Sequence, residues 1–151
     1  IGLAKALSII AALEIGRRRK YLKVKPSSSI NRSQHVYDAV FPNFADLLHE
    51  EFWVLLLNRA NKIQSQHRIS VGGLSGTVAD PKVIFKIALQ HGASAIILVH
   101  NHPSGQLRPS EEDLKITEKL VEAGKLLEIS VLDHLIVTDN GYFSFADEAL
   151  I

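Results

Sequence analysis

The sequence predicts an α/β fold of the mixed α+β kind, a mixed sheet covered on both faces by helices. Three observations predict it. Short strand-like runs alternate with helical patterns along most of the chain. One run, "SAIILVHN" at 94–101, is apolar without interruption until its end, as in a strand buried on both faces. "DNG" at 139–141 is a strong hairpin turn leading into "YFSFA", so an antiparallel strand closes the chain.

The elements follow in order. Residues 4–15, "AKALSIIAALEI", read as a helix with Ala6, Ile9, Ile10 and Leu13 on one face and Gly16 as its stop. "KVKPSSSINRS" (23–33) reads as a linker. Residues 34–49 look helical, interrupted by Pro42. "EFWVLLLN" (51–58) is a short apolar and aromatic strand, and "KIQSQHRISVGG" (62–73) a second strand. Asp80 and Pro81 open a helix over 80–91, because aspartate caps and proline suits the first turn; Gly92 ends it. After the central strand, 110–128 is an amphipathic helix and "SVLDHLIVT" (130–138) a strand.

Composition bounds the function. The chain has 151 residues, 46% hydrophobic and 22% charged, enough for one domain with a core. It does not begin with methionine, as expected of a piece of a longer chain. It has no cysteine, so any metal must be held by His, Asp or Glu. This also excludes the paired cysteines of zinc deaminases, and it fits a reducing cytoplasm. No apolar run approaches the roughly 20 residues of a membrane span, so no membrane partner is expected. The net charge of +1 hides an asymmetry: residues 1–25 carry seven Lys/Arg against one acid, and the rest is net acidic. Only the amino-terminal arm suits a polyanion. With the break near residue 26, this divides the chain into an arm (1–25) and a main domain (26–151).

The chemistry concentrates in "ILVHNHPSGQLRPSEED", residues 97–113. His100 and His102 stand at i and i+2, so on extended backbone both rings reach one point in space. They lie where a buried strand gives way to loop, the usual place for a site in an α/β sheet. Pro103 and Gly105 force a turn, and Asp113 can return from the next helix as an oxygen ligand. Three protein ligands plus water make a catalytic zinc site, and zinc lowers the pKa of its water to near 7. Ser110 and Asp113 also fit a capping box, in which serine caps the helix and the acid reaches back. The spacing leaves both readings open.

His100, His102, Ser110 and Asp113 match H-x-H-x7-S-x2-D and so resemble the JAMM motif of the JAB/MPN metalloprotease superfamily. "HNHPSG", "PSEED", "GGLSGT" (72–77), "LDHLIV" (132–137) and "DNGYFSFAD" narrow the resemblance to the bacterial RadC family, over about residues 30–151. The resemblance implies a cytidine-deaminase-like mixed sheet flanked by helices. It implies one Zn2+ per chain, held by His100, His102 and Asp113. Glu50 would be the general base, with Glu51 as the alternative; Glu50 is preferred because strand alternation sets it on the face of Phe52 and Val54. Ser110 would help stabilise the oxyanion. The implied activity is hydrolysis of a peptide or isopeptide bond, on a protein or peptide substrate, in a protein associated with DNA repair or DNA metabolism. The alternative is a DNA-associated accessory domain with a structural or vestigial zinc site.

The resemblance also implies that "IGLAKA" (1–6) belongs to the last helix of a helix-hairpin-helix element, through which the full-length protein would meet DNA. Asn101 departs from the Ser or Thr common between the histidines of JAMM proteases; its side chain should point away from the metal. His134 is expected as a packed strand histidine, with support of a ligand as its alternative role. Ser75 and Thr77 are candidates for the substrate groove. His35, His49, His67 and His91 are expected at the surface without convergent partners.

Overall fold

A computed structural model describes residues 2–21, 29–72 and 79–151, with the side chains of 17–21 left aside. Its elements are α1 (Leu3–Tyr21), α2 (Ser33–Phe44), β1 (Glu51–Leu57), β2 (Ile63–Val71), α3 (Pro81–Gln90), β3 (Ala95–Asn101), α4 (Glu111–Leu127), β4 (Ser130–Thr138) and β5 (Gly141–Ser144). The five strands form one sheet in the order β2-β1-β3-β4-β5. β3 and β4 are parallel, joined by the crossover through α4; the other neighbours are antiparallel.

Strand alternation splits the core in two. Phe52, Val54, Leu56, Ile96 and Leu98 face α3 and α4, meeting Ile84, Phe85 and Leu120. Leu55, Leu57, Ile97, Val99 and Leu135 face α2, meeting Val36, Val40 and Phe44. β3 is buried at every position because helices cover both of its faces, which is why its sequence shows no polar alternation. The expected mixed sheet covered on two sides is therefore the observed architecture.

α3 begins as read: the Asp80 carboxylate accepts the Lys82 N–H, and Pro81 fills the first turn. α4 buries Thr117, Leu120 and Gly124 on one stripe, with the half-buried Asp113 at its amino-terminal end. Gly124 lies tight against the chain leading into β4; a Cβ there would stand 2.4 Å from the Ile129 carbonyl oxygen.

Three boundaries and one helix face differ from expectation. Gly16 does not stop α1, which runs on to Tyr21. A lone glycine costs a helix interior only about 1 kcal/mol, and the Arg and Lys residues that follow are good helix formers. Ile9, Ile10 and Leu13, expected to form a packing face, are exposed. α2 ends at Phe44 rather than 49, with Pro42 in its last turn and Ala45 already out of helical geometry. β5 stops at Ser144, short of the "YFSFA" run. The expected boundary near residue 26 lies outside the described residues, as do Ser75 and Thr77.

Candidate metal centre

β3 carries His100 as its last residue but one, fully buried, and His102 is the first residue beyond the strand. The chain then turns sharply. Gly105 donates its N–H to the His102 carbonyl at 3.0 Å, at a φ of +79° that favours glycine. Pro103 occupies the second position of this turn, where its fixed φ fits. The loop returns the Gln106 carbonyl to within 2.6 Å of His102 Nδ1. A carbonyl only accepts, so Nδ1 donates. His102 Nε2 points inward, 2.9 Å from His100 Nε2.

α4 brings the acid. Ser110 Oγ accepts the Asp113 N–H at 3.1 Å, while Asp113 Oδ2 accepts from both the Ser110 N–H and its hydroxyl at 2.7 Å. The capping box is thus present. Asp113 also stands 3.2 Å from His100 Nε2 through Oδ1 and 3.7 Å from His102 Nε2 through Oδ2. One carboxylate caps the helix and faces both imidazoles, so the two readings of Asp113 coexist. Burial pushes its carboxyl up, but the side-chain contacts with His100 and His102 outweigh this and hold it well below the usual carboxylate range. For His102, burial pushes the imidazole down; the Asp113 and Gln106 hydrogen bonds and the nearby carboxylates outweigh it, and the net shift is upward.

The register of β1 on β3 pairs Phe52 with His100. Continued by two residues, it sets Glu50 opposite His102. Glu50, His100 and His102 each offer a ligand atom, and these lie within 4.8 Å of one another. Glu51 is elsewhere. It is buried, and its carboxylate accepts from Trp53 Nε1 at 2.8 Å and Arg68 Nη1 at 3.2 Å and meets His49 Nε2 at 3.0 Å. Asn101 pins the backbone on both sides of Glu50: Oδ1 accepts the Glu51 N–H at 2.8 Å and Nδ2 donates to the His49 carbonyl at 3.0 Å. The Glu50 carbonyl accepts from Gly72 N–H at 2.7 Å.

The donor set suits a divalent cation. Ligands 2.0–2.2 Å from a tetrahedral zinc stand roughly 3.3–3.6 Å apart. The imidazole and carboxylate atoms here are separated by 2.9, 3.2 and 3.7 Å, which bracket that spacing. Imidazole nitrogens and carboxylate oxygens, without thiolate, are donors that divalent metal ions accept.

The family profile described as "RadC-like JAB domain" matches residues 30–150. The chain belongs to the RadC family. It is 47% identical over 150 residues to a UPF0758 protein of Flavobacterium johnsoniae, covering 99% of this chain and 66% of that protein. A UPF0758 protein of Porphyromonas gingivalis is 47% identical over 152 residues, covering 100% of this chain and 67% of the relative. One from Methanosarcina mazei is 40% identical over 151 residues, covering 100% and 66%. The chain thus spans about two-thirds of the length of these relatives.

Within this RadC-family domain the sequence left one site contact undecided and missed another. His134, on β4, is fully buried, with Nε2 2.8 Å from His100 Nδ1 and Nδ1 2.6 Å from Thr117 Oγ1. Its neighbours Phe52 and Phe145 make the setting apolar. Burial and the neighbouring His100 push its pKa well down, so the ring is neutral. Thr117 gave no signal, since a threonine on the inner face of a helix reads as packing. The expectation that His49, His67 and His91 lack partners is corrected: His49 meets Glu51, and the His67 and His91 rings pack edge to face at 4.7 Å. They are brought together by β2 and the end of α3, distant in sequence. A cavity of about 200 Å³ opens beside His102, between the 103–105 loop and the Asp139–Asn140 turn. Among the described residues, no helix is long and apolar enough to cross a membrane.

Proposed function

We propose that the domain is a zinc-dependent hydrolase of peptide or isopeptide bonds, with His100, His102 and Asp113 as the ligands of one zinc ion. The observation that carries this reading is the convergence of His100 Nε2, His102 Nε2 and the Asp113 carboxylate at 2.9–3.7 Å. Three ligands leave the fourth position for water and substrate. Zinc bound there supplies a Lewis acid that makes water a nucleophile near neutral pH.

The chain's own residues do the rest. Glu50, opposite His102 and held through its flanking backbone, takes a proton from the attacking water and passes it to the leaving amine. Ser110 is the donor for the developing oxyanion of the substrate. Before substrate arrives its hydroxyl rests on Asp113 Oδ2, and it serves the oxyanion by exchanging that partner. The cavity beside His102 receives the substrate on the side away from α4. Residues 1–25, with their basic excess, are assigned to the end of a DNA-facing helix-hairpin-helix element and its linker.

The test is cleavage of a peptide and isopeptide library by the zinc-loaded domain, scored by new amino termini. Wild type should release them, and Glu50→Gln should retain zinc and release none. Equal cleavage by both removes Glu50 from the role of base; no cleavage by a zinc-loaded wild type favours an accessory role.

A further inference from the structure

We propose that Thr117 and His134 are positioning residues that fix which nitrogen of His100 carries hydrogen, so that Nε2 is the one offered to the metal. The inference rests on the metal reading above and goes one layer outward from it.

The hydrogens can be counted outward from a group with none to give. The Asp113 main-chain carbonyl lies 2.5 Å from Thr117 Oγ1. The single hydroxyl hydrogen must point at that carbonyl, because otherwise two oxygen lone pairs would face each other at this distance. The threonine oxygen is then an acceptor toward His134, 2.6 Å away, so His134 Nδ1 bears hydrogen. The His134 ring is fully buried against Phe52 and Phe145, and its ring nitrogens meet a hydroxyl and an imidazole rather than a carboxylate, so it carries a single hydrogen and Nε2 is a lone pair. It faces His100 Nδ1 at 2.8 Å, so His100 donates through Nδ1. His100 Nε2 is left directed at Asp113 Oδ1 and His102 Nε2. On His102, the Gln106 carbonyl fixes the same polarity in one step. The two ligands are thus oriented by separate devices, a loop carbonyl and a three-residue relay that begins on α4.

The fold makes the relay self-consistent. Asp113 and Thr117 are i and i+4 on α4, so they lie on one face. The residue whose side chain faces the metal position therefore also supplies, through its main chain, the carbonyl that sets the polarity of His100. Phe52 stacks on His100 at 5.9 Å and Phe145 on His134 at 4.7 Å, which holds both ring planes.

The test is Thr117→Val, which keeps the shape and removes the hydroxyl. Nitrogen-15 NMR of the histidines in the zinc-free protein at pH 8 should show His134 hydrogen-bearing at Nδ1 in wild type and in Thr117→Ser. In Thr117→Val it should become a mixture of tautomers. Zinc affinity, read by competition with a chromophoric chelator, should fall about 10- to 100-fold in Thr117→Val and recover in Thr117→Ser. An unchanged tautomer and unchanged zinc affinity in Thr117→Val overturn the proposal. If wild type itself binds no zinc, the metal reading falls, and the NMR result alone decides the relay.

Discussion

Asn101 Oδ1 accepts the Glu51 N–H at 2.8 Å, tying the start of β1 to the end of β3. The residue between the two histidines therefore does not face the metal position. It holds the two peptide groups that flank Glu50.

From this contact, Asn101→Ala should destabilise the domain by about 1–3 kcal/mol, the cost of leaving a buried backbone group unpaired. Urea denaturation measures it. Zinc stoichiometry should stay near wild type, while hydrolysis falls because Glu50 loses its register. Loss of zinc together with activity would show that Asn101 acts on the metal ligands instead.

Ser110→Ala removes a helix cap, for about 1 kcal/mol of stability, and one of the hydrogen bonds that orient Asp113. Zinc affinity should drop several-fold, readable by isothermal titration. A variant that loses stability but binds zinc as tightly as wild type would show that Ser110 does not orient Asp113 toward the metal.

The pH dependence follows from His134 and His102. The folded pKa of His134 is depressed, so below the unfolded value near 6.5 the unfolded chain binds the extra proton. Stability then falls by about 1.4 kcal/mol per pH unit from this group. The folded pKa of His102 is raised, so its contribution is fully present below about 6.5 and lost as pH rises through the higher folded value. Chelator-treated domain should therefore be most stable near neutrality and weaken on both sides. Denaturation at pH 5, 6, 7 and 8 checks this; a steady gain from pH 7 to 5 contradicts a neutral His134.

Much of this was legible in the sequence, and the reasons are specific. Asp80-Pro81 announced α3 because cap chemistry is local. The same holds for Ser110 and Asp113. β3 was readable because burial on both faces leaves an unbroken apolar run. His100 and His102 were readable because i,i+2 spacing places both on one side of a strand. What escaped depends on contacts between distant segments. Thr117 and His134 meet only once α4 has crossed from β3 to β4, and a sequence shows neither the pairing of Leu98 with His134 nor which helix face turns inward. His67 and His91 escaped for the same reason. Gly16 misled because its local penalty is small enough for a helix to absorb.

The most direct measurement of the central claim is zinc titration of the metal-stripped domain, comparing wild type with His102→Ala and Asp113→Ala. Wild type should bind about one equivalent, and both variants should lose most of their affinity. Wild-type affinity in Asp113→Ala would make that carboxylate a helix cap and nothing more, and would contradict the proposed site.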